Sequence, residues 1–358
     1  MLFLQSEALF HPNETDFRIR PQPGQPIPLR SPTLTCHHSP GSGRPAYNLI
    51  QILSEFGVPF MRKVLLALAA VIGFASPAFS QPLVDTAWLA EHAGDENLVI
   101  LDVRDNIEGT DLGDLPYIAN AVVAPYASAG WRTEVDGVPG NLPPLEEITA
   151  LIGNLGIDND DHVVIVPWGT DSSEFGGATR IYWTFKYLGH DAVSILDGGW
   201  RQYDAAGGER VAEAAVREPA TFTAGTLRDD LLATTDEVLA ALEDGTTLVD
   251  GRPASQYHGE NKSPVVAALG TIPGSVNIEH SSLYSAEYAR FADADTIAAL
   301  AQSVGVTLGE PSIAFCNTGH WASIAWFALS EVLEQPTAMY DGSMAEWTQD
   351  PARPVVIE

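Results

Sequence analysis

Ser312-Ile313-Ala314-Phe315-Cys316-Asn317-Thr318-Gly319-His320-Trp321-Ala322-Ser323-Ile324-Ala325-Trp326-Phe327 passes from an apolar run, through a polar turn, into a second apolar pattern. The run before Cys316 reads as an interior strand. The turn around Gly319 is a compact loop, and Ala322 to roughly Leu333 reads as a helix with a stripe at Ile324, Phe327, Ala328 and Val332. Cys316 therefore stands where a buried strand gives way to a loop facing a helix N-terminus. Free backbone N–H groups and the positive end of the helix dipole both favour a thiolate there, the reactive form of cysteine. The alternative is a small apolar filler, the commoner fate of a free cysteine; a donor-rich loop start favours the nucleophile.

Working outward, the chain repeats itself. Leu98-Val99-Ile100-Leu101-Asp102-Val103-Arg104 and Thr247-Leu248-Val249-Asp250-Gly251-Arg252 are both apolar strands ending in Asp-x-Arg. Val163-Val164-Ile165-Val166-Pro167 then answers Ile313-Ala314-Phe315-Cys316, and each is followed by a helical pattern, Ala178 to Leu188 and Ala322 to Leu333. Ile195-Leu196-Asp197-Gly198-Gly199-Trp200 matches Met339-Tyr340-Asp341-Gly342-Ser343-Met344. Elements in one preserved order point to a duplicated α/β unit. Strands apolar on both faces and alternating with helices predict parallel sheets covered on both sides, with the site outside their carboxyl ends. Cys316 falls at that edge. Its counterpart is Pro167, which is no nucleophile, followed by a longer loop from Trp168 to Gly177. The reading divides the chain into a silent half, 81–206, a linker, 207–228, and a catalytic half, 229–358.

The 358 residues carry 18 basic and 47 acidic side chains, a formal net charge of −29. Such a surface repels nucleic acid and anionic membranes, and no basic stripe with interleaved aromatics appears. An anionic substrate must be drawn in by a local positive field. Met61-Arg62-Lys63, the apolar run Val64–Phe74 and the small-residue end Ala75–Ser80 form the pattern of a secretory signal peptide over 61–80. The run is too short for a comfortable membrane span, and cleavage after Ser80 predicts a periplasmic or secreted mature chain without one. The Pro-rich, irregular residues 1–60 are expected to be a non-native or disordered extension, with translation starting at Met61; the alternative is a cytoplasmic extension before a signal anchor. Only Cys36 and Cys316 exist, so the mature chain holds one free thiol and no internal disulfide. Zinc fingers and iron–sulfur clusters are excluded on ligand count.

The tandem Asp-x-Arg strands, Gly270-Thr271-Ile272-Pro273-Gly274-Ser275-Val276-Asn277-Ile278, the Cys316 loop and Tyr340-Asp341-Gly342-Ser343 together resemble the rhodanese family. The resemblance covers almost all of 81–358 and is closest to two-domain sulfurtransferases acting on thiosulfate or 3-mercaptopyruvate. It implies an α/β fold of two tandem rhodanese-like domains, each a mostly parallel sheet with helices on both faces, the N-terminal one catalytically silent. It implies a six-residue active loop, Cys316-Asn317-Thr318-Gly319-His320-Trp321, and transfer of a sulfane sulfur through a Cys316 persulfide. The donor is a small sulfur-containing anion, the acceptor a thiol or cyanide-like thiophile, and no metal or organic cofactor is required. Inward-pointing N–H groups stabilise the thiolate and then the persulfide.

Departures from the family pattern bear on the donor. Thiosulfate-type members usually carry basic side chains after the cysteine and mercaptopyruvate-type members small ones; Asn317-Thr318-Gly319-His320-Trp321 is neither. A second arginine, commonly four positions beyond the Asp-x-Arg arginine, is here Gln256. Candidates for the missing positive charge are His320, with a charge variable near neutral pH, His258 and Lys262. Arg252 is a candidate for substrate binding or a structural partner of Asp250; Arg104, which repeats the motif without a cysteine, favours the structural reading. Trp321 either shields a persulfide from water or fills the space between domains. Asp341-Gly342-Ser343 reads as a turn requirement, leaving open whether Ser343 faces the site.

A cysteine phosphatase would want an arginine six positions after the cysteine, where this chain has Ala322. A sulfur carrier, holding a persulfide for a partner without free turnover, uses the same cysteine and stays open. A structural or adhesive exported protein leaves Cys316 unexplained.

Overall fold

Short runs of β-branched and aliphatic residues, apolar on both faces, form the centres of two parallel sheets. The structure, a computed structural model, describes residues 81–106 and 115–358, which fall in one unit, Ala75–Glu358. The expected extension (1–60) and signal segment (61–80) lie outside the described residues.

In the first half, β1 (Leu83–Val84), β2 (Leu98–Asp102), β3 (Val122–Val123), β4 (His162–Val166) and β5 (Val193–Leu196) pair in the order β1-β5-β4-β2-β3. In the second, β6 (Leu232–Ala233), β7 (Thr247–Asp250), β8 (Val276–Asn277), β9 (Ser312–Phe315) and β10 (Thr337–Tyr340) pair as β6-β10-β9-β7-β8. The two orders are the same, and every pairing in both sheets is parallel. The duplication expected from sequence is thus a duplication of topology. Asp102 lies beside Val166 and Asp250 beside Phe315, so Pro167 and Cys316 leave the sheets at equivalent places.

The helices are α1 (Thr86–His92), α2 (Leu145–Asn154), α3 (Ser172–Tyr187), α4 (Gly199–Ala205), α5 (Thr235–Asp244), α6 (Ala294–Ser303), α7 (His320–Trp326) and α8 (Ser343–Trp347), with a short turn at Ala254–Tyr257. Their starts follow local chemistry. Asp171 accepts the N–H groups of Ser173 and Glu174, Thr234 and Glu237 form a capping box, and Asp293 caps α6.

Two expectations need correction. The helix expected from Ala178 begins at Ser172, because Asp171 caps it there, and the loop after β4 is correspondingly short. Gly176-Gly177 obscures that start in the sequence, yet packing demands both glycines. A Cβ at Gly176 would lie 3.0 Å from the His320 ring, and one at Gly177 3.0 Å from the Tyr126 ring. The helix expected from Ala322 begins at His320 and widens after Trp326 into a π-helical turn, Phe327–Val332. The segment 207–228 is docked on the first half: Ala220 N–H donates to Gly153 O at 2.8 Å, and Phe222 is buried.

Candidate functional site

Cys316 begins a loop whose shape one hydroxyl governs. Ser343 Oγ accepts the Cys316 N–H at 3.0 Å and the Gly319 N–H at 3.1 Å, and donates to Tyr340 O at 2.8 Å. Ser343 holds a left-handed φ of +50°, where the first half has Gly199 at +55°. A residue with a Cβ tolerates that conformation at a cost, and here the hydroxyl offsets it. Gly319, at φ +73°, is required twice over: a Cβ there would sit 2.5 Å from both Arg180 Nη1 and Asp341 Oδ1.

The Cys316 side chain is 1% exposed and belongs to the main buried apolar cluster, yet it forms part of the wall of a cavity of about 320 Å³. The Cys316–Trp321 loop makes one side of that cavity, and Arg132, Pro139 and Gly140 of the first half make the other. The expected ring of amides is only partly in place. Among the described residues the hydrogen-bonding partner of Sγ is Ser343 Oγ at 4.0 Å, which also donates to Tyr340 O at 2.8 Å. The N–H groups of Asn317, Thr318, His320 and Trp321 have no acceptor among the described residues.

The first half supplies much of the site. Arg180, fully buried on α3, pairs with Asp341 at 2.5 Å, directly beneath Gly319. Asp341 Oδ2 also accepts the Leu142 N–H at 2.7 Å, so this carboxylate joins the halves. Its duplicate, Asp197, reaches the other way to the Phe291 N–H at 3.0 Å. Thr179 and Ser323 hydroxyls bond at 2.8 Å across the same seam.

His320 does not carry the charge expected of it. Its Nε2 lies 2.8 Å from Ser173 O, which can only accept, so Nε2 is protonated. Nδ1 therefore accepts from the Tyr126 hydroxyl at 2.9 Å. Burial first, then Arg132, pushes the imidazole down to about 3, and burial pushes Tyr126 up to about 12. At neutral pH this is a neutral hydrogen-bonding link between halves. Trp321 lines the cavity, donates Nε1–H to Ser173 Oγ at 3.0 Å, and stacks on His280 at 4.4 Å.

The remaining candidates lie elsewhere. Arg252 is wholly buried and grips Asp250 with Nε and Nη2 at 2.9 and 2.6 Å, as Arg104 grips Asp102 at 2.9 and 2.7 Å. Both guanidinium groups are buried on their own strand-end carboxylates, away from the cavity wall. Exposed His258 bonds Glu358 O at 3.2 Å, and the Lys262 ammonium turns back onto Val266 O. Neither lines the cavity. Gln256 Oε1 accepts from Asn317 Nδ2 at 2.9 Å, so that wall is uncharged. The sequence reading missed Tyr126, Arg132, Ser173 and Arg180, because nothing local marks residues that reach a site on the other half. Among the described residues no group of three or more His, Cys, Asp or Glu is placed to hold a metal ion. No helix among them is long and apolar enough to cross a membrane.

The equivalent loop of the first half is already filled. The Glu174 carboxylate accepts the N–H groups of Trp168 at 2.5 Å and Gly169 at 2.9 Å. Burial pushes this carboxyl up to about 7.

Comparison with known proteins gives the same outline. The rhodanese-like domain model matches residues 85–206 and 234–350. The thiosulfate sulfurtransferase of Rattus norvegicus is 34% identical over 276 residues, covering 74% of this chain and 91% of that protein. The sulfur carrier protein TtuD of Thermus thermophilus is 29% identical over 287 residues, covering 77% and 95%. The structure of the 3-mercaptopyruvate sulfotransferase SseA from Escherichia coli superposes with a TM-score of 0.64 at 23% identity, covering 74% of this chain and 99% of that one.

Proposed function

Because this chain belongs to the rhodanese family and carries two copies of its domain, we propose that it moves a sulfane sulfur from a small anionic donor to a thiophilic acceptor through a persulfide on Cys316. The observation that carries this is the placement of the described residues' free cysteine on the wall of a cavity shared by both halves. Its loop is braced by Ser343, and four loop N–H groups lack an acceptor among the described residues. Sγ itself does not reach those amides. A second sulfur extends the side chain by one S–S bond of about 2 Å, which brings negative charge nearer to them.

In the first step the Cys316 thiolate attacks the outer sulfur of the donor. A new S–S bond forms, and the bond between that sulfur and the rest of the donor breaks with its electron pair. Thiosulfate then leaves as sulfite; 3-mercaptopyruvate leaves as the pyruvate enolate, which takes a proton from water. In the second step cyanide or a thiolate attacks the terminal sulfur, and the pair of the broken S–S bond returns to Cys316. The first half has no nucleophile at Pro167 and contributes walls and charge rather than chemistry. Export to the periplasm or beyond, expected from residues 61–80, belongs to the same proposal.

The test is exposure of the protein to thiosulfate and to 3-mercaptopyruvate in turn. Gain of one sulfur atom by intact mass should be localised to Cys316, with release of sulfite or pyruvate, and cyanide should discharge it. An unmodified Cys316 with every donor would refute the proposal. The likeness to a sulfur carrier protein supports a second reading, in which the persulfide persists until a partner takes it. A stable persulfide with negligible turnover would select that reading.

A further inference from the structure

Resting on the reading of Cys316 as the sulfur-accepting nucleophile, we propose that Arg132 binds the oxyanion end of the donor, a sulfonate or a carboxylate, so that the half without a nucleophile selects the substrate. Three observations carry this. First, Arg132 lines the same cavity as Cys316, facing the active loop from the other half. Second, it is uncommitted. Among the described residues every other arginine and lysine side chain has an ion pair or donates a hydrogen bond to a carboxylate or carbonyl. Arg132 makes neither, and its guanidinium lies over the Tyr126 ring, 4.8 Å from the centroid. Asp105, the carboxylate within its electrostatic reach, instead accepts the Ala127 N–H at 2.8 Å. In a chain where acidic side chains outnumber basic ones 47 to 18, an unpaired guanidinium in the reaction cavity is a departure that ligand binding explains.

Third, the backbone is shaped to keep it there. Gly140 has φ +88°, and a Cβ on it would lie 3.0 Å from Arg132 Nη1 and 3.1 Å from both Thr318 Cβ and Thr318 O. Only glycine lets the guanidinium and the active loop close on the same point. The opposite wall offers no competing cation, since Gln256 is occupied with Asn317 and His320 is neutral. A planar guanidinium grips a sulfonate or carboxylate through two parallel N–H groups, and resting on an aromatic face holds it pre-oriented.

Alkylation of Cys316 by iodoacetate and by iodoacetamide tests this without assuming a donor. Each forms an Sγ–C bond and expels iodide; the reagents differ in one charge. Peptide-resolved mass spectrometry follows Cys316, with Cys316→Ser as the blank. Arg132→Gln should lower the iodoacetate-to-iodoacetamide rate ratio by roughly tenfold, and Arg132→Lys should retain most of it. In the unsubstituted protein the ratio should fall several-fold as salt rises from about 0.05 to about 0.5 M, a readout that needs no variant. A ratio unmoved by Arg132→Gln, or by salt, overturns the proposal. If neither reagent modifies Cys316, the parent reading fails and takes this one with it. Steady-state kinetics then assign the anion: the donor whose KM rises about tenfold in Arg132→Gln, with kcat within about threefold, is the one held. No rise for thiosulfate or for 3-mercaptopyruvate also overturns it.

Discussion

Ser343→Ala tests how the active loop is held. The hydroxyl satisfies the N–H groups of Cys316 and Gly319 and the carbonyl of Tyr340, and Ser343 is fully buried. Its removal leaves those three groups unpaired away from water. At about 1–3 kcal/mol for each buried unsatisfied group, reduced by local relaxation, the expected loss is about 3 kcal/mol. Ser343→Gly loses the same hydrogen bonds but relieves the left-handed backbone, a gain of about 1 kcal/mol, so its loss should be about 2 kcal/mol. For a chain of this size each kcal/mol moves Tm by about 2–4 °C, so calorimetry should show the alanine variant roughly 6–12 °C below the parent. Sulfur loading of Cys316 should slow in both, since the loop loses its brace. An alanine variant within about 0.5 kcal/mol of the parent, or a glycine variant less stable than the alanine one, would refute the reasoning.

Cys316→Ser should keep its circular dichroism and melting curve while losing all sulfur transfer; residual turnover would exclude a persulfide on this residue. Arg180→Gln leaves Asp341 buried without its cation and should cost about 3–5 kcal/mol in urea unfolding, far more than an exposed pair would. Gly319→Ala forces a Cβ against the same ion pair at an unfavourable φ and should cost at least about 2 kcal/mol by the same measurement. His320 is held below its ordinary value in the folded state, so its contribution to stability is fully present above about 6.5 and is lost as pH falls towards about 3. Acid titration of stability should therefore be shallower in His320→Gln between pH 6 and 4, while kinetics from pH 6 to 8 should show no step assignable to this imidazole.

The fold was legible because duplication writes its evidence twice. An Asp-x-Arg ending on one strand is weak, but the same ending at Asp102 and Asp250, in the same order with the later elements, leaves few topologies. The two parallel sheets share one strand order, as that pattern implied. The Asp250–Arg252 pairing was readable for the same reason, and its geometry in the two halves is nearly identical. What sequence hid is what crosses between halves. Arg180 reads as one more charge on a helix, and Arg132 as a loop residue before a hairpin. Only the packing of the halves, with Gly176 and Gly177 letting α3 close on His320 and Tyr126, brings Arg180 beneath Gly319 and Arg132 to the cavity wall. The protonation of His320 was misjudged for a related reason. A histidine beside a cysteine suggests a titrating partner, but its two nitrogens are spoken for by Tyr126 and Ser173 from distant sequence.

The Glu174 carboxyl lying against the Trp168 and Gly169 amides bears on whether the first half can be given a reactive thiol. Restoring a thiol by Pro167→Cys alone would place it in a loop where the Glu174 carboxyl already occupies the Trp168 and Gly169 amides, so those donors would not be free to favour a thiolate. Reanimation should require Glu174→Gln or Glu174→Ala in the same chain. On that account positions 167 and 174 must change together before this loop can hold a reactive thiolate.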